Sequence, residues 1–446
     1  MNRSERDFFA SARFQRGQII IFVVLLLVLG SGFLVYSMAG PRALAAQKNA
    51  ETDAALAQVK QALIGWSAAR TPTVTSPNIR PGELPCPDID NDGLDDACAA
   101  GAIGRVPWKT LGIPEPRDGS GEILWYAIAG AFRYKYTPTT PPITSDTLGN
   151  LTVYQGSSAT TLTSQAIAVL IAPAPPVGSQ DRGTSSAMCS TTGTSIARNR
   201  CAANYLEATG GGNNAQTGGP FIQAATSPTF NDRVLAITNA DLMPLVEQRV
   251  AREIMALLNS YYDANGVYPW ANLSDGNSST PPDGYNRGRF PCGTASPANW
   301  GDPGPPPTPS LPDWLTNGCG SNGWASVIFY AVAKNKLESG GSGCSSSYSM
   351  CSASKPFWSN SGLAYLCPFA SSPFACSLTN FAVGNADVIL ITPGASNGSP
   401  RSWPSSSYGA ISGYFEDTDN SDNNDDQYAI PSSSNNPNGD RMFIMQ

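Results

Sequence analysis

Histidine is absent from all 446 residues. That removes Ser-His-Asp and Cys-His nucleophilic catalysis, imidazole general bases and imidazole metal ligation together. None of the ten cysteines stands in a CxxC spacing, so neither a zinc site nor a thioredoxin-like redox centre has support. Charge is scarce too: Asp, Glu, Lys and Arg make up 14% of the chain, against roughly 25% in ordinary soluble domains. The net charge of −7 leaves no basic footprint for nucleic acid. Carboxylate-based hydrolysis stays open in principle, but no pair among the 34 acids stands apart from turn-forming residues. The chain therefore reads as a non-enzyme.

Glycine (43) and proline (37) are abundant, and long apolar runs are confined to one place. A short leader, residues 1–17, carries Arg3, Arg6, Arg13 and Arg16 against Glu5 and Asp7, and ends in Arg16-Gly17. An apolar run of 20 residues, Ile19 to Met38, follows at once. As a helix it would measure roughly 30 Å, the hydrocarbon thickness of a bilayer. The expectation is a transmembrane helix over 18–40, its N-terminus cytoplasmic by the positive-inside rule. No polar break follows. Leu56, Val59, Leu63 and Trp66 recur at helical spacing between Asp53, Gln58, Lys60 and Gln61, which predicts that the helix continues as an amphipathic segment to Ala69. In an exported chain the cysteines read as a disulfide set. They fall into close neighbours: Cys86/Cys98, Cys189/Cys201, Cys292/Cys319, Cys344/Cys351 and Cys367/Cys376.

At these N-terminal residues the chain resembles a type IV pilin or type II secretion pseudopilin precursor. The resemblance implies cleavage of the leader between Gly17 and Gln18 by a prepilin peptidase, methylation of the new N-terminus, and a long helix that packs into a filament core. It also implies an inner-membrane stage with the heads periplasmic, an assembly platform, and other pilin or pseudopilin subunits as partners. Most such proteins carry Glu at the fifth mature position, where Phe22 stands here. In that respect the chain is similar to the large minor pseudopilin at the tip of type II secretion pseudopili.

The exported part repeats itself. In order, Gly82–Cys86 matches Gly288–Cys292, Ile123–Ala129 matches Val327–Ala333, and Val169–Pro173 matches Ile389–Pro393. Tyr205–Glu207 then matches Tyr414–Glu416, and Asp232–Leu235 matches Asp440–Phe443. Before each set stands a helical pattern, with Val59, Leu63 and Trp66 corresponding to Ile254, Leu258 and Tyr261. In the second helix Glu247, Arg249, Arg252 and Glu253 are expected to face outward. The fold class expected is α+β: the N-terminal transmembrane helix, then two tandem pilin-like heads, residues 41–240 and 241–446. Each head would be a helix packed on a sheet of short antiparallel strands.

The sharpest chemical motif is Asp88-Ile89-Asp90-Asn91-Asp92-Gly93-Leu94-Asp95-Asp96. Acids at alternate positions turn hard oxygen ligands into a tight loop of the kind Ca²⁺ uses. The twelfth position of an EF-hand, normally acidic, is Ala99 here, so the run looks more like the short calcium loops of extracellular modules. A Cys86–Cys98 bridge would close it. A second acidic cluster, Glu416, Asp417, Asp419, Asp422, Asp425 and Asp426, is another candidate calcium site, and pseudopilin heads bind calcium in such loops. A solvated turn is the alternative for both. The role expected is a minor pilin or pseudopilin that primes or caps a filament. The alternatives are a tip adhesin or ligand-binding module, with Trp300, Trp314 and Trp403 as contacts, and a static signal-anchored periplasmic protein.

Overall fold

The computed structural model describes residues 8–70, 80–133, 142–156, 160–183, 186–188, 195–269, 287–291, 311, 315, 324–332, 336, 364–368, 383–392, 394–395, 427–430 and 441–445. Within the first helix, side chains are described for Ile21, Val23–Val28 and residues 42–69.

Helix α1 runs from Phe8 to Ala69, 62 residues in one piece, or roughly 90 Å of helix. Its last turns bury Leu56, Val59, Leu63 and Ile64, the stripe expected from their spacing, while residues 42–51 are exposed. The expected transmembrane helix is not upheld: among the described residues, no helix is long and apolar enough to cross a membrane.

The first sheet has six strands: β1 (Ile103–Arg105), β2 (Trp125–Ile128), β3 (Leu151–Gln155), β4 (Thr160–Ala172), β9 (Phe221–Gln223) and β10 (Arg233–Thr238). Its order is β1-β2-β4-β3-β9, with β10 also on β4. Short hairpins β5 (Ser186–Met188)/β6 (Ser195–Ala197) and β7 (Ala208–Thr209)/β8 (Gly212–Asn213) interrupt the path. Strand β4 is the spine. Its polar first half pairs with β3, and its apolar second half, Ala166–Ala172, lies between β2 and β10 with every residue buried. A continuous apolar run is what a strand covered on both faces requires. The sheet is not wholly antiparallel, because β3 and β9 run parallel.

A second sheet orders β11 (Arg287–Arg289), β12 (Phe329–Val332), β15 (Val388–Thr392) and β17 (Arg441–Met445). It reproduces β1-β2-β4-β10 residue for residue. Tyr126 faces Leu170 as Tyr330 faces Leu390, and Arg233 pairs with Ala172 as Arg441 pairs with Thr392. One sequence match shifts. Gly288 faces Tyr330 across the ladder just as Gly104 faces Tyr126, so Gly288-Arg289-Phe290-Pro291 corresponds to Gly104-Arg105-Val106-Pro107 and not to Gly82–Cys86. The partner of Leu84-Pro85 is Tyr268-Pro269: Leu84 N–H donates to the Phe132 carbonyl and Tyr268 N–H to the Lys336 carbonyl, each at 2.8 Å. A third small sheet joins β13 (Ala364–Pro368), β14 (Val383–Ala386) and β16 (Gln427–Ile430).

Helix α3 (Asn239–Asn265) follows β10 directly, and the short helix α2 (Trp108–Leu111) lies between β1 and β2. Helix α3 starts in a capping box made by Thr238 and Asp241 and stops at Gly266, whose φ of 73° suits glycine. Leu242, Val246, Val250, Ile254, Leu258 and Tyr261 form its buried stripe. Glu247 departs from expectation: it is 1% exposed, because α3 is covered from both sides. Lys60 of α1 reaches Asp241 at 2.7 Å, and a single apolar cluster runs from α1 through both large sheets.

Candidate functional site

The acidic loop is built between strand β1 and the disulfide. Asp88 N–H donates to the Arg105 carbonyl at 3.0 Å, and Arg105 N–H returns the bond at 2.7 Å. This close approach is why position 104 is glycine: a Cβ there would lie 2.5 Å from the Asp88 carbonyl oxygen. Cys86 and Cys98 are bonded to each other, so both ends of the loop are clamped. Gly93 has φ 88°, and a Cβ on it would meet the Trp108 ring at 2.7 Å. Both facts exclude any other residue at the turn.

The acids divide into three that converge and two that do not. Asp88, Asp90 and Asp96 each bring a carboxylate oxygen within 4.8 Å of the others'. Asp88 is buried and accepts backbone N–H groups from Asn91 (2.5 Å), Asp92 (3.2 Å) and Gly93 (2.8 Å). Asp96 accepts from Ile89 (2.6 Å) and Asp90 (3.1 Å). Asp92 instead accepts the Leu94 N–H at 2.7 Å, and Asp95 accepts the Thr110 hydroxyl at 2.8 Å. Burial raises the Asp88 carboxyl above its ordinary value; its three backbone donors oppose the rise and the Asp92 charge adds to it. The donor set fits a hard divalent cation. Three carboxylates supply part of the six to eight oxygens that Ca²⁺ takes, and backbone carbonyls and water would complete it.

The second acidic cluster, Glu416 to Asp426, lies outside the described residues, as do Trp300, Trp314 and Trp403. So do Cys189, Cys292, Cys319, Cys344, Cys351 and Cys376, while Cys367 is described only as backbone in β13. Cys201 is disulfide-bonded, and there is no free cysteine among the described residues. Gly17, Gln18 and Phe22 stand in α1 as backbone.

Three polar features escaped the sequence. Arg105 is buried between the rings of Trp125 and Tyr205, its guanidinium carbon 4.1 Å from each centroid. Burial lowers its pKa to about 10, so it remains a cation held by the rings. Asp232 is buried against Glu207. Burial first, and the neighbouring carboxylate second, push Asp232 well above the ordinary range. Glu207 uses its other contacts to tie Gln180, Asn231 and the Asp232 backbone together, so the pair staples a loop. The third feature is a pocket at the start of α3. None has a sequence signature, because in each the partners come from distant segments. The chain matches no family model, no curated protein and no solved structure.

Proposed function

We propose that the chain is a minor pilin-like or pseudopilin subunit with a structural, non-catalytic role at the tip or base of a filament. The observation that supports this reading most is α1: one unbroken helix whose last turns bury Leu56, Val59, Leu63 and Ile64 against the head. Ahead of them, Ile21 and Val23–Val28 stand exposed. An exposed apolar helix face is suited to packing against equivalent helices of other subunits. The disulfide favours an oxidising location outside the cytoplasm, and Ca²⁺ held by Asp88, Asp90 and Asp96 would tighten the first head. Two sheets on one stalk are bulky for a closely repeated array, which supports a minor position. Leader removal between Gly17 and Gln18 belongs to the same proposal. That peptide lies inside α1, at a glycine whose helix propensity is about 1 kcal/mol below alanine's, so local unwinding there costs less than at an alanine.

The test is the mature N-terminus, read by intact mass and N-terminal peptide mass spectrometry in cells with and without prepilin peptidase. A methylated Gln18 start that depends on the enzyme is the expected result. An unprocessed Met1 start in both strains would overturn the filament reading.

A further inference from the structure

We propose that Asp232 and Glu207 form a proton-operated clamp: Asp232 carries a proton that it donates to the Glu207 carboxylate, and release of that proton loosens the loops at one end of the first sheet. The inference does not rest on the filament reading. Both residues are buried, Asp232 at 2% exposure and Glu207 at 7%, and they bracket each other. Glu207 N–H donates to Asp232 Oδ2 at 2.8 Å, and Asp232 N–H donates to Glu207 Oε2 at 3.1 Å. The two carboxyl groups also meet each other in a side-chain hydrogen bond, and such a bond needs one proton.

The remaining contacts decide which residue holds it. Glu207 uses both oxygens as acceptors: Oε1 takes the Gln180 side-chain N–H at 2.6 Å, and Oε2 takes the Asn231 N–H at 2.9 Å besides that of Asp232. On Asp232, Oδ2 accepts a second donor from the Asn214 side chain at 2.9 Å, whereas the buried Oδ1 receives none among the described residues. The proton therefore belongs on Asp232, and Glu207 is the carboxylate. No cation neutralises the pair: among the described residues, neither acid has an ion-pair partner. Arg182 pairs with Glu122 at 3.0 Å and lies over Tyr205, Arg105 lies on the Trp125 and Tyr205 rings, and Arg233 pairs with Asp53. Asp181, on the loop that carries Gln180, adds only another acid. Two carboxylates in contact at such a site cannot both ionise.

One proton thereby governs four segments. Gln180 lies between β4 and β5, Glu207 precedes β7, Asn214 follows β8, and Asn231 and Asp232 precede β10. Asn214 extends the network to β9, because its side chain donates to the Ile222 carbonyl at 3.0 Å and accepts the Ile222 N–H at 2.7 Å. An acid whose folded pKa is raised gives its stabilisation in full below its unfolded value and loses it as pH rises through the folded value. Asp232 is raised, by burial first and the Glu207 charge second. The clamp is therefore closed in acid and loosens as pH rises.

The experiment is amide hydrogen exchange by mass spectrometry on the full chain, from about pH 5 to about pH 8, with rates referred to intrinsic exchange at each pH. It is read on peptides covering residues 205–214 and 230–235, against a reference peptide from the core strand, residues 166–172. The reference carries the pH dependence of global unfolding, Glu247 included. The expected result is that protection of the two loop peptides falls relative to the reference as pH rises, by up to about tenfold per pH unit, the linkage of one proton. Asp232→Asn, whose amide donates to Glu207 without titrating, should stay folded and lose that slope. Glu207→Gln, which sets an N–H₂ where both oxygens accept, should lose protection about tenfold or more at every pH. Circular dichroism establishes that each variant is folded; if Asp232→Asn is not, the wild-type slope decides alone. Wild-type loop protection that does not change with pH relative to the reference, a slope that persists in folded Asp232→Asn, or full protection in Glu207→Gln would each overturn the proposal.

Discussion

Tyr126 and Tyr330 hold the same station in the two large sheets. Each is fully buried, and each donates its phenol to a proline carbonyl: Tyr126 to Pro85 at 3.0 Å and Tyr330 to Pro269 at 2.9 Å. Burial raises both phenols well above the ordinary tyrosine range, so both stay protonated donors. Tyr126→Phe and Tyr330→Phe should each cost about 1 kcal/mol or somewhat more, because a buried carbonyl loses its donor. Since one apolar cluster joins the sheets, both losses should appear in one cooperative urea transition. Two separable transitions, each sensitive to only one variant, would argue against a shared core.

The loop acids make a sharper test. Ca²⁺ at about 100 times its Kd should stabilise the protein by roughly 2.7 kcal/mol. Asp90→Asn and Asp96→Asn should abolish that gain, whereas Asp95→Asn should keep it, because Asp95 is engaged with Thr110. Calorimetric titration that finds no calcium-dependent heat would leave a solvated turn.

Removing the disulfide should separate stability from metal binding. Cys86 and Cys98 are 12 residues apart, and closing a loop of that size is worth about 3 kcal/mol in the chain-entropy account. The double variant Cys86→Ala/Cys98→Ala should lose about that much in denaturant unfolding. It should also bind Ca²⁺ more weakly, since the loop loses one clamp.

Glu247 should write a pH signature on stability. Burial raises its pKa from 4.5 to about 7, against the opposing pull of Arg441 and Ser145. The folded chain then holds a proton that the unfolded chain releases, so this group's stabilisation is full below pH 4.5 and is lost as pH rises through 7. The loss amounts to about 3 kcal/mol. Glu247→Gln, which cannot ionise, should flatten that segment of the profile. An unchanged slope between pH 5 and 8 would mean that Glu247 titrates normally.

Much of the fold was legible because it rests on local periodicity. The stripe Leu56, Val59 and Leu63 announces a buried face through its spacing, and the apolar landmark Val169–Ala172 marks a strand of the repeat; both are buried. The doubled sheet was legible in the matches around Tyr126 and Tyr330, with one slip: Gly-x-x-Pro occurs twice in the first repeat, at Gly82–Pro85 and Gly104–Pro107. Only the pairing of Gly288 with Tyr330 shows which copy is equivalent. The acidic loop was visible as a run of five acids, yet its division into three converging and two diverging carboxylates was not. That division depends on Thr110, Trp108 and Arg105, which arrive from the neighbouring strand and helix.

By itself the sequence determined the exclusions and the repeats. Without histidine no imidazole chemistry exists in any fold, and periodic apolar residues specify buried faces wherever they are placed. The tertiary structure decided everything that depends on two distant segments meeting. Glu247, expected outward from its position among charged neighbours, became buried once Ser145 and Arg441 closed over α3. Asn239, an unremarkable residue after a capping threonine, became the floor of a pocket only when both sheets converged there. Helical and strand periods are written along the chain, whereas desolvation and polar pairing are properties of space, which is why the faces were readable and the sites were not.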